Sequence, residues 1–165
     1  MNLRTHLQPG DLGRVVTLHG TLYAAEHGLD ATFEAYVAGT LGHFARPWDA
    51  TLERLWIAEQ AGELVGCAGV IQANATQAQF RWLLVAPSAR GQGLGTRLLR
   101  EAIAFAEAAG YAEIFLDTIA ELPEAARLYE SAGFRCLATK PTVPMWGRLV
   151  TEQRYALRLP RERSG

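Results

Sequence analysis

The chain has 165 residues, 49% of them apolar and 20% charged, with a formal net charge of −1. That length suits one domain with a core two or three layers deep, and the near-neutral balance excludes bulk electrostatic attraction to nucleic acid or membrane. No stretch approaches the ~20 apolar residues that a bilayer span requires, and Met1 to Gly10 lacks the apolar segment of a secretory signal; a cytoplasmic location is the expectation.

In chain order, Asn2 to Leu7 alternates as a short strand, and Pro9-Gly10-Asp11 is a turn able to start a helix. Leu12 to about His27 follows helical spacing until Gly28, and Thr32 to about Phe44 reads as a second helix on Phe33, Tyr36, Val37 and Leu41. Three strands follow as a meander: Leu52–Glu59, Leu64–Ile71 and Phe80–Val85, with Pro87 closing the third. Trp56 and Trp82 fall on these strands as core residues. Gly91 to Ala109 is the strongest helix, its apolar stripe being Leu94, Leu98, Ala102, Phe105 and Ala109. A strand at Glu113–Asp117, a short helix at Pro123–Ser131 and a strand from Gly133 come next. Residues 139 to 147 read as a loop, and Leu149 to Leu159 as the last strand. Residues 1–160 are expected to form the domain and 161–165 a polar tail. The order βααβββαβαββ predicts a mixed, mostly antiparallel α/β sheet of about seven strands with one parallel pair and helices on both faces. Cys67 and Cys136, each in an apolar run, read as buried free thiols.

The chemically informative stretch is Val85-Ala86-Pro87-Ser88-Ala89-Arg90-Gly91-Gln92-Gly93-Leu94-Gly95-Thr96. A strand ends, and glycines at alternate positions open a helix whose N-terminus offers unpaired N–H groups to an anion. A nucleoside-triphosphate loop would need a Lys that is absent, and a dinucleotide fingerprint would need Gly at position 96. What fits is Arg90-x-x-Gly93-x-Gly95.

That string resembles the CoA-binding signature of the GNAT superfamily of N-acetyltransferases. Ala125-Ala126-Arg127-Leu128-Tyr129-Glu130-Ser131-Ala132-Gly133-Phe134 resembles the superfamily's second signature, in the same order and at a familiar separation. The resemblance implies the acyl-CoA N-acyltransferase fold, acetyl-CoA as co-substrate and an amine as acceptor, with a homodimer as one assembly seen among relatives. Residues 14–23 are similar to bacterial members that sometimes follow a winged-helix regulator. The resemblance further implies that the strand at Leu83, Leu84 and Val85 splays from its parallel neighbour to take the pantetheine arm. A backbone N–H near Val85 would then polarise the thioester carbonyl. Arg90, Gly91, Gln92, Gly93, Leu94, Gly95 and Thr96 would hold the pyrophosphate, and Tyr129 would protonate the departing thiolate.

Two positions depart from the superfamily pattern. Leu122 stands where many relatives carry Asn, and no carboxylate lies between Glu63 and Glu101, where many place a general base. Candidates for base or acceptor contacts are His19, Tyr23 and Glu26 on the first helix, against the alternative of a solvated helix face or a core histidine. Asp117 at a strand end, against a capping role, and Trp146 in the loop before the last strand complete the set. The four histidines show no metal-ligand spacing, so no metal is expected. A non-catalytic acyl-CoA-binding module, or transfer of an acyl group larger than acetyl, are the competing readings. The acceptor amine, whether a small molecule or a peptide, is not specified.

Overall fold

The computed structural model describes residues 1–160, so the polar tail expected at 161–165 lies outside the described residues. The elements are β1 (Asn2–Arg4), α1 (Asp11–His27), α2 (Ala31–Phe44), β2 (Arg54–Gln60), β3 (Glu63–Gln72), β4 (Gln77–Val85), α3 (Leu94–Ala108), β5 (Glu113–Ile119), α4 (Pro123–Ser131), β6 (Arg135–Thr139), β7 (Val143–Met145), β8 (Arg148–Val150) and β9 (Glu152–Arg158). A seven-stranded sheet runs β1-β2-β3-β4-β5-β9-β6, and β7-β8 is a separate hairpin. Among the described residues, only β4 and β5 pair in parallel; the other ladders are antiparallel.

Apolar periodicity assigns each helix its face. Phe33, Val37, Leu41 and Phe44 recur at helical spacing on α2 and pack with Val15 of α1 against Leu55, Ile57, Cys67, Trp82 and Leu84 on one face of the sheet. Leu94, Leu98, Ala102 and Phe105 of α3, with Tyr129 of α4, pack against Ala58, Ala68, Phe80 and Leu116 on the other. α1 stops because Gly28 adopts a positive φ of 67°, which lets the Leu29 N–H reach back to the Tyr23 carbonyl. The start of α1 is anchored by charge. Asp11 is fully buried and accepts from both terminal nitrogens of Arg4 at 2.6 Å, while Arg14 reaches Asp11 and Glu59. This network ties β1, α1 and β2 together.

Three sequence expectations change. The presumed loop at 139–147 contains β7 and the start of the hairpin, and the single last strand is broken between Val150 and Glu152. The hairpin turn is Trp146-Gly147, both with positive φ (55° and 83°), a pairing that mimics the usual Asn-Gly turn. Cys136 is exposed, not buried, because β6 is the outermost strand and presents all its residues to solvent.

A candidate acyl-transfer cleft

β4 positions the site through two irregularities. First, its parallel register with β5 ends early: only Gln77, Ala78 and Gln79 pair, with Glu113, Ile114 and Phe115. Beyond that point the strands separate, so the β5-facing edge of residues 80–85 has no strand beside it. Second, β4 carries a bulge. Cys67 pairs with Leu84 and Gly69 with Arg81, so Trp82 and Leu83 together oppose Ala68. Trp82 takes φ 55°, rare for a bulky residue and worth about 1–3 kcal/mol of local strain. The buried Cys67 thiol donates to the Trp82 carbonyl at 3.1 Å, satisfying a group that the bulge takes out of the ladder. Gly69 leaves room for the indole, since a Cβ there would lie 2.6 Å from the Trp82 ring. The extra residue also changes which face each side chain serves. Ala78 and Phe80 belong to the α3–α4 core, whereas Trp82 and Leu84 belong to the α1–α2 core.

The strand end leads into the cradle. Pro87–Ala89 form a single 3-10 turn, then Gly91 and Gly93 adopt φ of 72° and 77°, and Gly93 caps α3 without any side-chain bond. Among the described residues, none of the N–H groups of residues 91–96 has a hydrogen-bond partner. The first turn of α3 has no acidic residue. A Cβ at Gly91 or Gly93 would meet nothing within 4 Å, so the surface over these donors is open. Six consecutive free donors at the positive end of a helix dipole fit a pyrophosphate. Arg90 stands beside them and forms a forked ion pair with Glu26 at 2.8 and 2.9 Å.

Where β4 and β5 separate, a cavity of about 170 Å³ opens under α1, α2 and the hairpin. Leu83, Tyr129, His19, Tyr23, Asp117 and Trp146, all named from the sequence, line it. Glu26 is not among the lining residues. Its carboxylate is held by Arg90, whose hydrogen bond lowers its pKa, so it remains charged and engaged. Leu84 points into the α1–α2 core and Val85 packs toward α3, and neither is among the residues that line the cavity.

His19 is a core residue, not part of a solvated face. Its Nδ1 lies 2.8 Å from the Val15 carbonyl, which assigns the proton to Nδ1 and leaves a lone pair on Nε2. Nε2 makes no hydrogen bond among the described residues, yet no fully buried polar atom there lacks a partner. Nε2 is therefore reached from the cavity that His19 lines. Burial lowers its pKa to about 4, so the ring is neutral at ordinary pH. Tyr129 is enclosed by Phe80, Phe134 and Tyr155, with ring centroids 6.1–6.4 Å away. Burial raises its pKa, with the neighbouring Tyr23 adding to the shift, so it keeps its proton. Burial likewise pushes Tyr23 up to about 12. Asp117 is bound in a fork by Arg154 at 2.8 and 2.9 Å. Trp146 packs edge-on to Phe33 and against Tyr36, forming the outer wall.

Sequence reasoning missed Arg81, Tyr36 and Glu152, which also line the cavity. Arg81 had a visible signal: it is the only charged residue between Glu63 and Arg90. A search for a carboxylate base passes over it.

The family model of the acetyltransferase (GNAT) domain matches residues 51–136, from just before β2 into β6. An uncharacterized N-acetyltransferase of Schizosaccharomyces pombe is 33% identical over 115 residues, 68% of this chain and 70% of that protein. The uncharacterized N-acetyltransferase YjgM of Escherichia coli is 30% identical over 115 residues, 67% of this chain and 69% of that protein. Among solved structures, yncA from Salmonella typhimurium, determined with its cofactor acetyl-CoA, superposes with a TM-score of 0.70 at 18% identity, covering 100% of this chain and 98% of that one. The chain belongs to the GNAT acetyltransferase family, and it is an acetyltransferase with a mixed, mostly antiparallel sheet and one splayed parallel pair.

Proposed function

We propose that the protein transfers the acetyl group of acetyl-CoA directly to a primary amine within a ternary complex. The observation that carries this reading is that the cavity where β4 and β5 separate is lined by both Tyr129 and His19, whose hydroxyl and Nε2 have no hydrogen-bond partner among the described residues. The free N–H groups of residues 91–96 would hold the pyrophosphate, with Arg90 alongside. The open edge of β4 through Leu83, Leu84 and Val85 would receive the pantetheine arm, and a backbone N–H at its end would face the thioester oxygen.

In the transfer, the amine nitrogen bonds to the acetyl carbon and the carbon–sulfur bond breaks. His19 Nε2 accepts a hydrogen bond from the neutral amine, aiming its lone pair at the thioester. It then takes the proton as the nitrogen becomes acidic on acylation. A ring with pKa about 4 is a weak base toward a free ammonium, so the amine enters already neutral. Tyr129 gives its proton to the departing sulfur; its raised pKa keeps it protonated until then. Tyr23 and Trp146 would position the acceptor, and Asp117 would act from the cavity edge while paired with Arg154.

Calorimetric titration with acetyl-CoA, followed by thiol-release assays on an amine panel, tests this. Tyr129→Phe is expected to keep acetyl-CoA affinity while kcat falls about 100-fold. His19→Gln should also lower kcat, leaving donor affinity within about twofold. Millimolar acetyl-CoA failing to bind the folded protein would sink the reading.

A further inference from the structure

The charges around the cavity are unequal in a way that bears on the acceptor. Three charged residues line it: Arg81, Asp117 and Glu152. Each acid is already matched by a cation outside the lining, Asp117 by Arg154 at 2.8 Å and Glu152 by Lys140 at 3.2 Å. Arg81 has no carboxylate partner among the described residues. Its guanidinium stands 5.6 Å from the centre of the Tyr36 ring and 5.3 Å from that of Trp82, and one nitrogen donates to the Tyr36 hydroxyl at 2.6 Å. The aromatic rings thus fix the orientation of the fork, and most of its five N–H donors stay available.

We propose that Arg81 binds the carboxylate of the acceptor, and that the acceptor is a free α-amino acid with an apolar side chain. This rests on the acetyl-transfer reading and narrows its substrate. Arg81 directly precedes the bulge pair Trp82–Leu83. Arg81 lines the same cavity as His19, Leu83 and Tyr129, so a carboxylate in its fork brings the α-amine, one carbon away, into the space that those residues share. The side chain then points to the wall of Phe33, Val37 and Trp146. A volume of about 170 Å³ suits a single amino acid. It falls below the ~300 Å³ at which drug-sized ligands begin to fit. A polyamine would bring its charge against the one uncompensated cation of the cavity. The products are an N-acetyl amino acid and CoA, with the proton balance already described.

The test compares pairs that differ only in the carboxylate: phenylalanine with phenethylamine, and leucine with isoamylamine. Thiol release is followed with acetyl-CoA saturating, and donor binding is measured separately by calorimetry. The expected result is kcat/KM at least tenfold higher for each amino acid than for its amine. That ratio should collapse toward one in Arg81→Gln and be partly restored in Arg81→Lys, with folding and donor affinity checked for each variant. Equal or better turnover of the amines, of spermidine, or an unchanged ratio in Arg81→Gln would overturn the proposal while the acetyl-transfer reading stands. Absence of acetyl-CoA binding would overturn both.

Discussion

Arg4, Asp11, Arg14 and Glu59 show how much structural weight a few charges carry in this chain. Asp11 has no exposed surface and accepts from Arg4, Arg14 and the Gln8 N–H. Removing Asp11 leaves the buried Arg4 guanidinium with only the partly exposed Glu59 and the His6 carbonyl as partners. Asp11→Ala is therefore expected to cost about 3–5 kcal/mol, read from the urea midpoint. The Arg4 hydrogen bonds hold the Asp11 carboxyl well below the usual carboxylate range. A depressed folded pKa gives stability that is complete above the unfolded value near ~4 and lost as pH falls through the folded value. Wild type should thus lose more stability than Asp11→Ala between neutral pH and strong acid. His19 adds a loss in the same direction, since burial favours its neutral form more strongly in the fold than in the unfolded chain. That loss begins as pH drops below about 6.5 and is complete near pH 4.

At the scale of single elements, β4 decides the geometry of the site. Its bulge depends on a neighbour, because the Trp82 indole rests on the bare face of Gly69. Gly69→Ala would bring a methyl group to 2.6 Å from the ring. The indole and the bulge must then move, at a cost of about 1–3 kcal/mol, and acetyl-CoA affinity should fall together with the melting temperature. Gly95→Ala is the control: its Cβ would meet only Leu128 and Val85, at 3.6 and 3.7 Å. Any loss of donor binding there, without loss of stability, would report on the cradle alone. Much of this region was legible in the sequence. The helix α4 has the bounds its pattern indicates, and the glycines at 91 and 93 mark the turn that leads into α3. The bulge was not legible, because one extra residue in an apolar strand leaves no compositional trace. The β7–β8 hairpin hid for a different reason. Pro144 argues against a strand, and Trp146 occupies a turn position that ordinarily takes Asn or Gly. Cys136 was misjudged because its apolar neighbours lie on an edge strand, where alternation does not imply burial.

Across the whole molecule, the two cores lie on opposite faces of the sheet, with Leu18 of α1 packed against both, and the cleft lies where that sheet opens. A ligand spanning the α3 cradle and the β4–β5 gap touches both layers, so its binding should stabilise the fold as a unit. At 100 times its dissociation constant, acetyl-CoA would add about 2.7 kcal/mol. For a chain of this size that corresponds to a rise of about 5–10 °C in melting temperature. Desulfo-CoA should reproduce most of the shift, because the sulfur contributes little of the contact. Among the described residues no helix is long and apolar enough to cross a membrane.

The early end of the β4–β5 ladder has a temporal consequence as well. Gln79 to Leu83 and Leu116 to Ile119 line the acceptor cavity from the two sides of the gap, so an arm lying in that gap becomes part of the cavity's own wall. The amine would, on the proposed reading, find a finished site only after the donor had arrived, and the spent donor would be the last to leave. On the proposed reading, a missing stretch of strand pairing becomes a queue: it sets a compulsory order of arrival and departure, and it keeps the thioester from standing idle before an unfinished pocket.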